Sequence, residues 1–246
     1  MHLPHLAAPQ DIQGVLPTAG LFGKQTHMVR AAESARPPVR RIEKGPESDD
    51  VSPRDRLLEA ATQLFCKHGI NATGVDAIIA EAGTAKTTLY KLFGSKTNLV
   101  HKVLEAEGVR WRSWFIGAIE TGGGTPQAKL ARVFPALKGW FAEEGYYGCA
   151  FINAVGEHDK DDAALRAITI THKSIVLDHL ERLAEQAGAS DPHALAHQFG
   201  LLIDGAIVAA MVTRDPGVAD TAALAAKPLL AGLKARKRAA VKLEAV

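Results

Sequence analysis

The sequence predicts an all-α chain: an N-terminal three-helix head carrying a helix-turn-helix, followed by a larger C-terminal helical domain. Three observations predict it. Apolar residues recur at helical spacing in one segment after another, and no run of β-branched residues alternates over strand length. Residues that cap or break helices divide these segments, among them Ser52-Pro53, Gly69, Gly94-Ser95, Asp191-Pro192 and Asp215-Pro216. Two of the segments are short and meet at one glycine corner, Ala82-Gly83-Thr84. Two short helices set steeply around a tight glycine turn make a helix-turn-helix.

The totals bound the reading. A chain of 246 residues holds a small and a larger domain, and 47% hydrophobic content supplies a core. The net charge of +2 is close to neutral, so nucleic-acid binding has to come from a local patch. Cys66 and Cys149 give neither zinc spacing nor a disulfide framework, which suits a reduced cytoplasmic setting. The most apolar stretch, 199–212, is short for a bilayer span and contains Asp204, so no membrane partner is expected. The N-terminus lacks the pattern of a signal peptide.

Residues 1–50 mix Pro, Gly and both charges without apolar periodicity and read as a disordered arm. The arm is either an inert tail, or a start placed ahead of Met28, or a basic arm whose Arg30, Arg36, Arg40 and Arg41 reach a DNA groove. The head is expected over 51–103 and the second domain over 104–240. Ser52 as N-cap, Pro53 at the first position and Asp55 two further on start the first helix, and Gly69 ends it. Leu57, Leu58, Ala61, Leu64 and Phe65 form its apolar stripe. The second helix begins near Thr73 or Gly74, and the third covers about 85–93. Ser95 caps a long fourth helix, a lever from the head to the second domain, which ends at Gly122-Gly123-Gly124. Further helices are expected over 126–144, 149–158, 161–186, 192–213 and 218–236.

The third helix places Lys86, Thr87, Thr88, Tyr90 and Lys91 off its core face. These are donors that suit base edges and phosphates. Together with Ala82-Gly83, Thr88-Leu89-Tyr90, Phe93-Gly94-Ser95-Lys96 and Leu99, the stretch from Arg54 to Val103 resembles the TetR family of bacterial transcriptional regulators. Beyond it the likeness is one of helical layout, apart from 148–154, which looks like a segment of one branch. The resemblance implies base contacts at Lys86, Thr87 and Lys91. It implies phosphate contacts at Thr88, Tyr90 and Lys96, with Thr73 clamping the DNA backbone. Gly74, Ala85 and Leu92 depart from the family pattern: a hydroxyl, a helix cap and a histidine are replaced, so that either Thr84 caps the third helix instead or its cap is weak.

In this family the middle of the chain surrounds a small-molecule pocket. The aromatics concentrate there, and Trp111, Trp114, Phe115, Trp140, Tyr147, Phe151 and His172 are the candidate pocket residues, with plain core as their competing role. Ala194, Leu195, Phe199, Leu202, Ala206, Ala209 and Ala210, with Leu224, Leu229, Leu230 and Leu233, lie on helices expected to build a two-fold dimer seam, with ordinary core as the competing role. The acidic and histidine residues of 156–162 lack convergent spacing, so neither a metal nor another cofactor is expected. No nucleophile, base and orienter occur together, which argues against an enzyme. The expected partners are double-stranded DNA, a second copy of the chain and a small effector. The expected function is a homodimeric repressor released from a palindromic operator. The alternative is an activator or architectural protein whose second domain binds a protein.

Overall fold

The computed structural model describes residues 51–158 and 161–233. The N-terminal arm and the basic end lie outside the described residues, which belong to one compact unit. Every regular element among them is an α-helix.

Helix α1 (Pro53–His68) starts where its cap residues dictate: the Asp55 amide donates to Ser52 Oγ at 3.2 Å, and Pro53 fills the first turn. Helices α2 (Val75–Ala82) and α3 (Lys86–Phe93) follow, and α4 (Lys96–Glu120) begins with the Asn98 amide on Ser95 Oγ at 3.0 Å. Leu57, Ala61, Ile78, Leu89, Phe93 and Leu99 close the head core. The 25 residues of α4 span about 37 Å at 1.5 Å per residue, enough to run from the head into the second domain.

The helix expected over 126–144 is two: α5 (Pro126–Ala131) and α6 (Val133–Phe141). Pro135 explains the break, because it has no N–H to give the Ala131 carbonyl and its ring crowds that turn. The Arg132 guanidinium fills the corner, donating to the carbonyls of Ile119 at 2.8 Å and Gly123 at 2.5 Å. These are carbonyls near the end of α4 and its following turn, where acceptors need outside partners.

Helices α7 (Ala150–Glu157), α8 (Ala163–Gln186), α9 (Pro192–Thr213) and α10 (Val218–Ala231) complete the body. Asp162 and Asp191 cap α8 and α9 by accepting the amides of Leu165 at 2.8 Å and Ala194 at 2.9 Å. The last helix stops at Ala231 rather than Arg236, with Gly232 behind it. Residues 234–236 lie outside the described residues.

Two expectations about α9 need correction. Its start at Pro192 gives 22 residues, with an 18-residue window of mean hydropathy 1.6, so by length and composition alone it is long enough to cross a membrane. The estimate from 199–212 missed the turns preceding Phe199. The second concerns the residues of α9 expected in a dimer seam, since several of them are occupied within the chain itself. Leu195, Phe199, Ala206 and Ala210 are buried within the chain's own core, where α9 packs on α8, α10 and α6. The apolar side chains that α9 exposes are Leu201, Val208 and Val212. Helical periodicity locates an apolar stripe but does not say which neighbour covers it.

Phe199 is fully buried and its ring lies 5.7 Å from that of Phe134. Phe199→Ala should therefore lower unfolding free energy by about 3–5 kcal/mol, the usual cost of removing a buried aromatic. Urea denaturation followed by circular dichroism measures it, and a loss below about 1 kcal/mol would contradict this packing.

Candidate nucleic-acid interface and its attached cavity

The corner between α2 and α3 is built on Gly83. It takes the left-handed conformation, φ 59° and ψ 43°, which glycine adopts without a Cβ penalty. The Gly83 and Thr84 amides then return to the carbonyls of Ala80 at 3.3 Å and Ile79 at 3.0 Å, closing the end of α2. Leu89 and Phe93 seat α3 on the head, and the Arg54 guanidinium lies 5.8 Å from the centroid of the Phe93 ring. Thr84 does not supply the missing cap. No side chain caps α3, and the Thr84 hydroxyl is buried without a partner.

The outward face of α3 carries Lys86, Thr87, Tyr90 and Lys91, all exposed, with Thr88 half-buried at its edge. This brings five of the seven candidate residues onto one surface. Lys86 is already engaged: its ammonium donates to Asp76 at 3.0 Å, and that bond raises its pKa. Leu92, where the family carries histidine, is 42% exposed and contributes an apolar side chain to the same helix.

Thr73 and Lys96 sit differently from expectation. Thr73 is buried, and its hydroxyl donates to the Gly69 carbonyl at 2.7 Å, with the Leu64 carbonyl 3.3 Å away. A buried hydroxyl needs an acceptor, and the free carbonyls at the end of α1 are the nearest. Thr73 is thus an internal staple of the α1–α2 loop instead of an exposed clamp. The Lys96 ammonium is half-buried and donates to the Ile70 carbonyl at 2.6 Å. Burial lowers its pKa, against the opposing pull of the Glu157 carboxylate.

Glu157, at the end of α7, was not legible as a functional residue. Its Oε2 accepts the Ile70 amide at 2.7 Å and the Asn71 amide at 3.3 Å, while the Asn71 side chain donates to the Glu157 carbonyl at 2.6 Å. The α1–α2 loop of the head is thereby latched to the second domain. No local spacing could show a contact between residues 87 apart in sequence.

Behind the head lies a partly open cavity of about 1330 Å³. Trp111, Trp140, Tyr147, Phe151 and His172 line it. Trp114 and Phe115 do not. Phe115 is fully buried and stacks on Trp111 with centroids 4.7 Å apart, and Trp114 packs against both Trp111 and Trp140. Both lie one turn further along the same face of α4 as Trp111 and pack behind its ring. The head itself contributes without any local signal of it: Glu59, Thr62 and Cys66 of α1 line the same space. Arg110 of α4 pairs with Glu107 and reaches Glu59 at 3.9 Å, bridging lever and head. Burial raises the pKa of both Cys66 and Cys149, which keeps these thiols protonated and poorly nucleophilic.

His172 is the buried polar residue of the wall. It stacks on Phe151 at 3.8 Å between centroids, and the Arg112 guanidinium lies 3.1 Å from its Nδ1. Guanidinium only donates, so Nδ1 accepts and the proton sits on Nε2. Burial, then the charges of Lys173 and Arg112, lower its pKa to about 3, so the ring is neutral. Gly108 makes this packing possible: a Cβ there would stand 3.0 Å from Phe151 Cζ and 3.3 Å from His172 Nδ1.

A glycine-cornered helix pair with a polar outer face, joined by a long helix to a cavity-bearing helical body, defines a helix-turn-helix transcriptional regulator. The profile of the family described as "Bacterial regulatory proteins, tetR family" matches residues 57–103. The crystal structure of SCO4454, a TetR-family transcriptional regulator from Streptomyces coelicolor, superposes with a TM-score of 0.67 at 30% identity, over 74% of this chain and 95% of that one. A TetR-type regulator from Streptomyces avermitilis gives 0.63 at 29% identity, over 72% and 99% of the two chains. An uncharacterised helix-turn-helix regulator from Lactococcus lactis subsp. lactis is 25% identical over 68% of this chain and 88% of its own length. The chain belongs to the TetR family: it is a DNA-binding transcriptional regulator and not an enzyme.

The latch and the neutral histidine each generate a measurement. Glu157→Ala should leave the Ile70 and Asn71 amides without their acceptor and cost about 1–3 kcal/mol locally. Hydrogen exchange at those two amides should speed up by about tenfold or more, with the core of α9 unchanged. Equal protection in the variant would show that the latch contributes nothing. For His172, the folded pKa lies below the unfolded value, so the unfolded chain binds more protons between about pH 6.5 and 3. Stability therefore falls as pH drops through that window, by up to about 1.4 kcal/mol per pH unit. His172→Gln should flatten this part of the profile in urea titrations between pH 7 and about 4.5. An unaltered slope would mean the ring is already charged when folded.

Proposed function

We propose that the chain is a homodimeric repressor that leaves a palindromic operator when a small molecule occupies the cavity. The observation that carries this reading is the composition of the cavity wall. It includes α1 of the head, Arg110 and Trp111 of the α4 lever and His172 of the body, so an occupant touches every part that must move. Trp111 also lines it with a buried indole N–H that has no acceptor among the described residues. A ligand carbonyl or ether oxygen would satisfy that donor, while Trp140, Tyr147 and Phe151 would cover an apolar or aromatic body.

At the other end, Lys86, Thr87 and Lys91 read base edges, and Thr88 and Tyr90 hold phosphates. Lys86 exchanges Asp76 for a base on docking. Lys96 and Thr73 serve the same contact from within, by fixing the loop that carries α2. One head offers few contacts, so two act together at about 34–36 Å, one turn of DNA apart. The exposed apolar side chains of α8 and α9, Ile170, Ile175, Leu201, Val208 and Val212, supply the dimer face. The setting is the cytoplasm, where the operator lies. Ligand acts by population shift, limited by its differential affinity for the two head spacings.

Footprinting on the DNA upstream of the chain's own gene should show one symmetric protected site. Thr87→Ala should change base preference within it, whereas Tyr90→Phe should weaken operator and scrambled duplex alike, by a few-fold. Binding curves on both duplexes separate the two effects. Absence of any protected site, or identical curves for all three proteins, would overturn the assignment. Tryptophan fluorescence reports cavity occupancy in the same samples, and a ligand that quenches it without releasing DNA would refute the proposed coupling.

A further inference from the structure

A second group of chemically capable side chains lies apart from both the cavity and the DNA-facing surface. His101 stands in the second turn of α4, His158 closes α7, and Asp162 caps α8. Their ligand atoms all lie within 4.8 Å of one another. His101 Nε2 is 2.8 Å from Asp162 Oδ2, and His158 Nε2 is 3.1 Å from the same oxygen. The three side chains are only 14%, 16% and 12% exposed. We propose that His101, His158 and Asp162 bind a divalent transition-metal ion of the zinc, cobalt and nickel class, joining the α4 lever to the corner between α7 and α8.

The donor set selects that class. Two imidazoles and one carboxylate suit zinc and its neighbours, whereas calcium and magnesium require mostly oxygen ligands. Ligand atoms about 2.0–2.2 Å from one ion stand about 3–3.5 Å apart. The two imidazole–carboxylate separations are close to that, and the rings meet edge to face at 78°, so rotation about their side-chain bonds turns both nitrogens toward a common point. Asp162 is held from behind, its Oδ1 accepting the Leu165 amide at 2.8 Å, which orients Oδ2 toward the histidines. In the metal-free arrangement Oδ2 accepts the His101 N–H, with His158 Nε2 standing 3.1 Å away. On metal binding each ring offers its Nε2 lone pair and carries its proton on Nδ1, so no proton need leave the protein. Three protein ligands leave at least one position for water.

The place of this site matters as much as its chemistry. His158 directly follows Glu157, whose carboxylate latches the Ile70 and Asn71 amides of the head. An ion bound to His101 and His158 fixes α4 to the end of α7 beside that latch. Metal binding should therefore slow exchange at the Ile70 and Asn71 amides.

Cobalt is the probe of choice, because its visible absorption reports coordination directly. The full chain, first treated with chelator, should take up one equivalent of Co²⁺ with a visible absorption band, and Zn²⁺ should displace it. His101→Ala and His158→Ala should each abolish the band. Asp162→Asn keeps a good helix cap and should fold normally while binding at least about tenfold more weakly. His193→Ala, which removes one ring of the separate His193–His197 pair, should change nothing. Circular dichroism confirms that each variant is folded. No stoichiometric uptake by the wild-type chain, or uptake that survives in Asp162→Asn and both histidine variants, would overturn the proposal.

Discussion

Glu157 sets the constraint on which the rest of the molecule depends. One carboxylate oxygen holds two successive backbone amides of the α1–α2 loop, and charge-assisted bonds of this kind contribute about 1.5–3 kcal/mol each. The loop is shaped to receive it. Gly69 has φ 86°, and a Cβ there would stand 2.7 Å from Glu157 Oε2, so glycine is required by conformation and by close approach at once. Thr73 and Lys96 then complete the loop by bonding its carbonyls at Gly69 and Ile70. The amides of Ile70 and Asn71 thus bond to the body, and the carbonyls of Gly69 and Ile70 bond to the head. Since α4 is the other connection between the two parts, the head's orientation is fixed at two points and not by a single flexible joint.

That double attachment offsets the weakness of α3. A helix of eight residues is marginal by itself, and this one lacks a side-chain cap. Leu89, Phe93 and the Arg54 guanidinium above Phe93 hold it from one side only, which leaves its polar face open. Local rules are broken where the surface has to meet something else, and the cost is borne by tertiary packing. The Lys86–Asp76 pair follows the same pattern. Both partners are well exposed, so the bond contributes little to stability and is easily exchanged for a DNA group.

The head and the helix boundaries were legible because their signals are local. Ser52, Ser95, Asp162 and Asp191 cap the helices they precede, and Gly69 and Gly83 end the ones before them. Pro135 was passed over because Leu130, Val133, Phe134 and Leu137 keep helical spacing straight through the break. Trp111, Trp140, Tyr147, Phe151 and His172 line the cavity, whereas Trp114 and Phe115 stand behind its wall, because composition does not say how far along α4 the void extends. Glu157 with Ile70, and His101 with Asp162, were invisible for a different reason. They join residues 87 and 61 apart, and no periodicity or spacing encodes a meeting across the fold. The histidine and acidic stretch at 156–162 showed no converging spacing because His101, which meets Asp162, comes from α4.

On the proposed reading, the same close packing decides how an occupant of the cavity is felt by the head. Gly108 brings α4 against Phe151 and His172 with no slack, and His172 is held neutral between Phe151 and Arg112. A ligand that pushes on this stack has no void to compress behind it, since Phe115 is fully buried and Trp114 packs against Trp111 there. Packed interiors of this density switch between arrangements and do not deform gradually. The displacement must pass into α4 as a whole, and α4 can move only if the loop at Ile70 and Asn71 moves with it or releases Glu157. The latch that stabilises the DNA-binding head in one orientation thereby sets the work a ligand has to do to reach another.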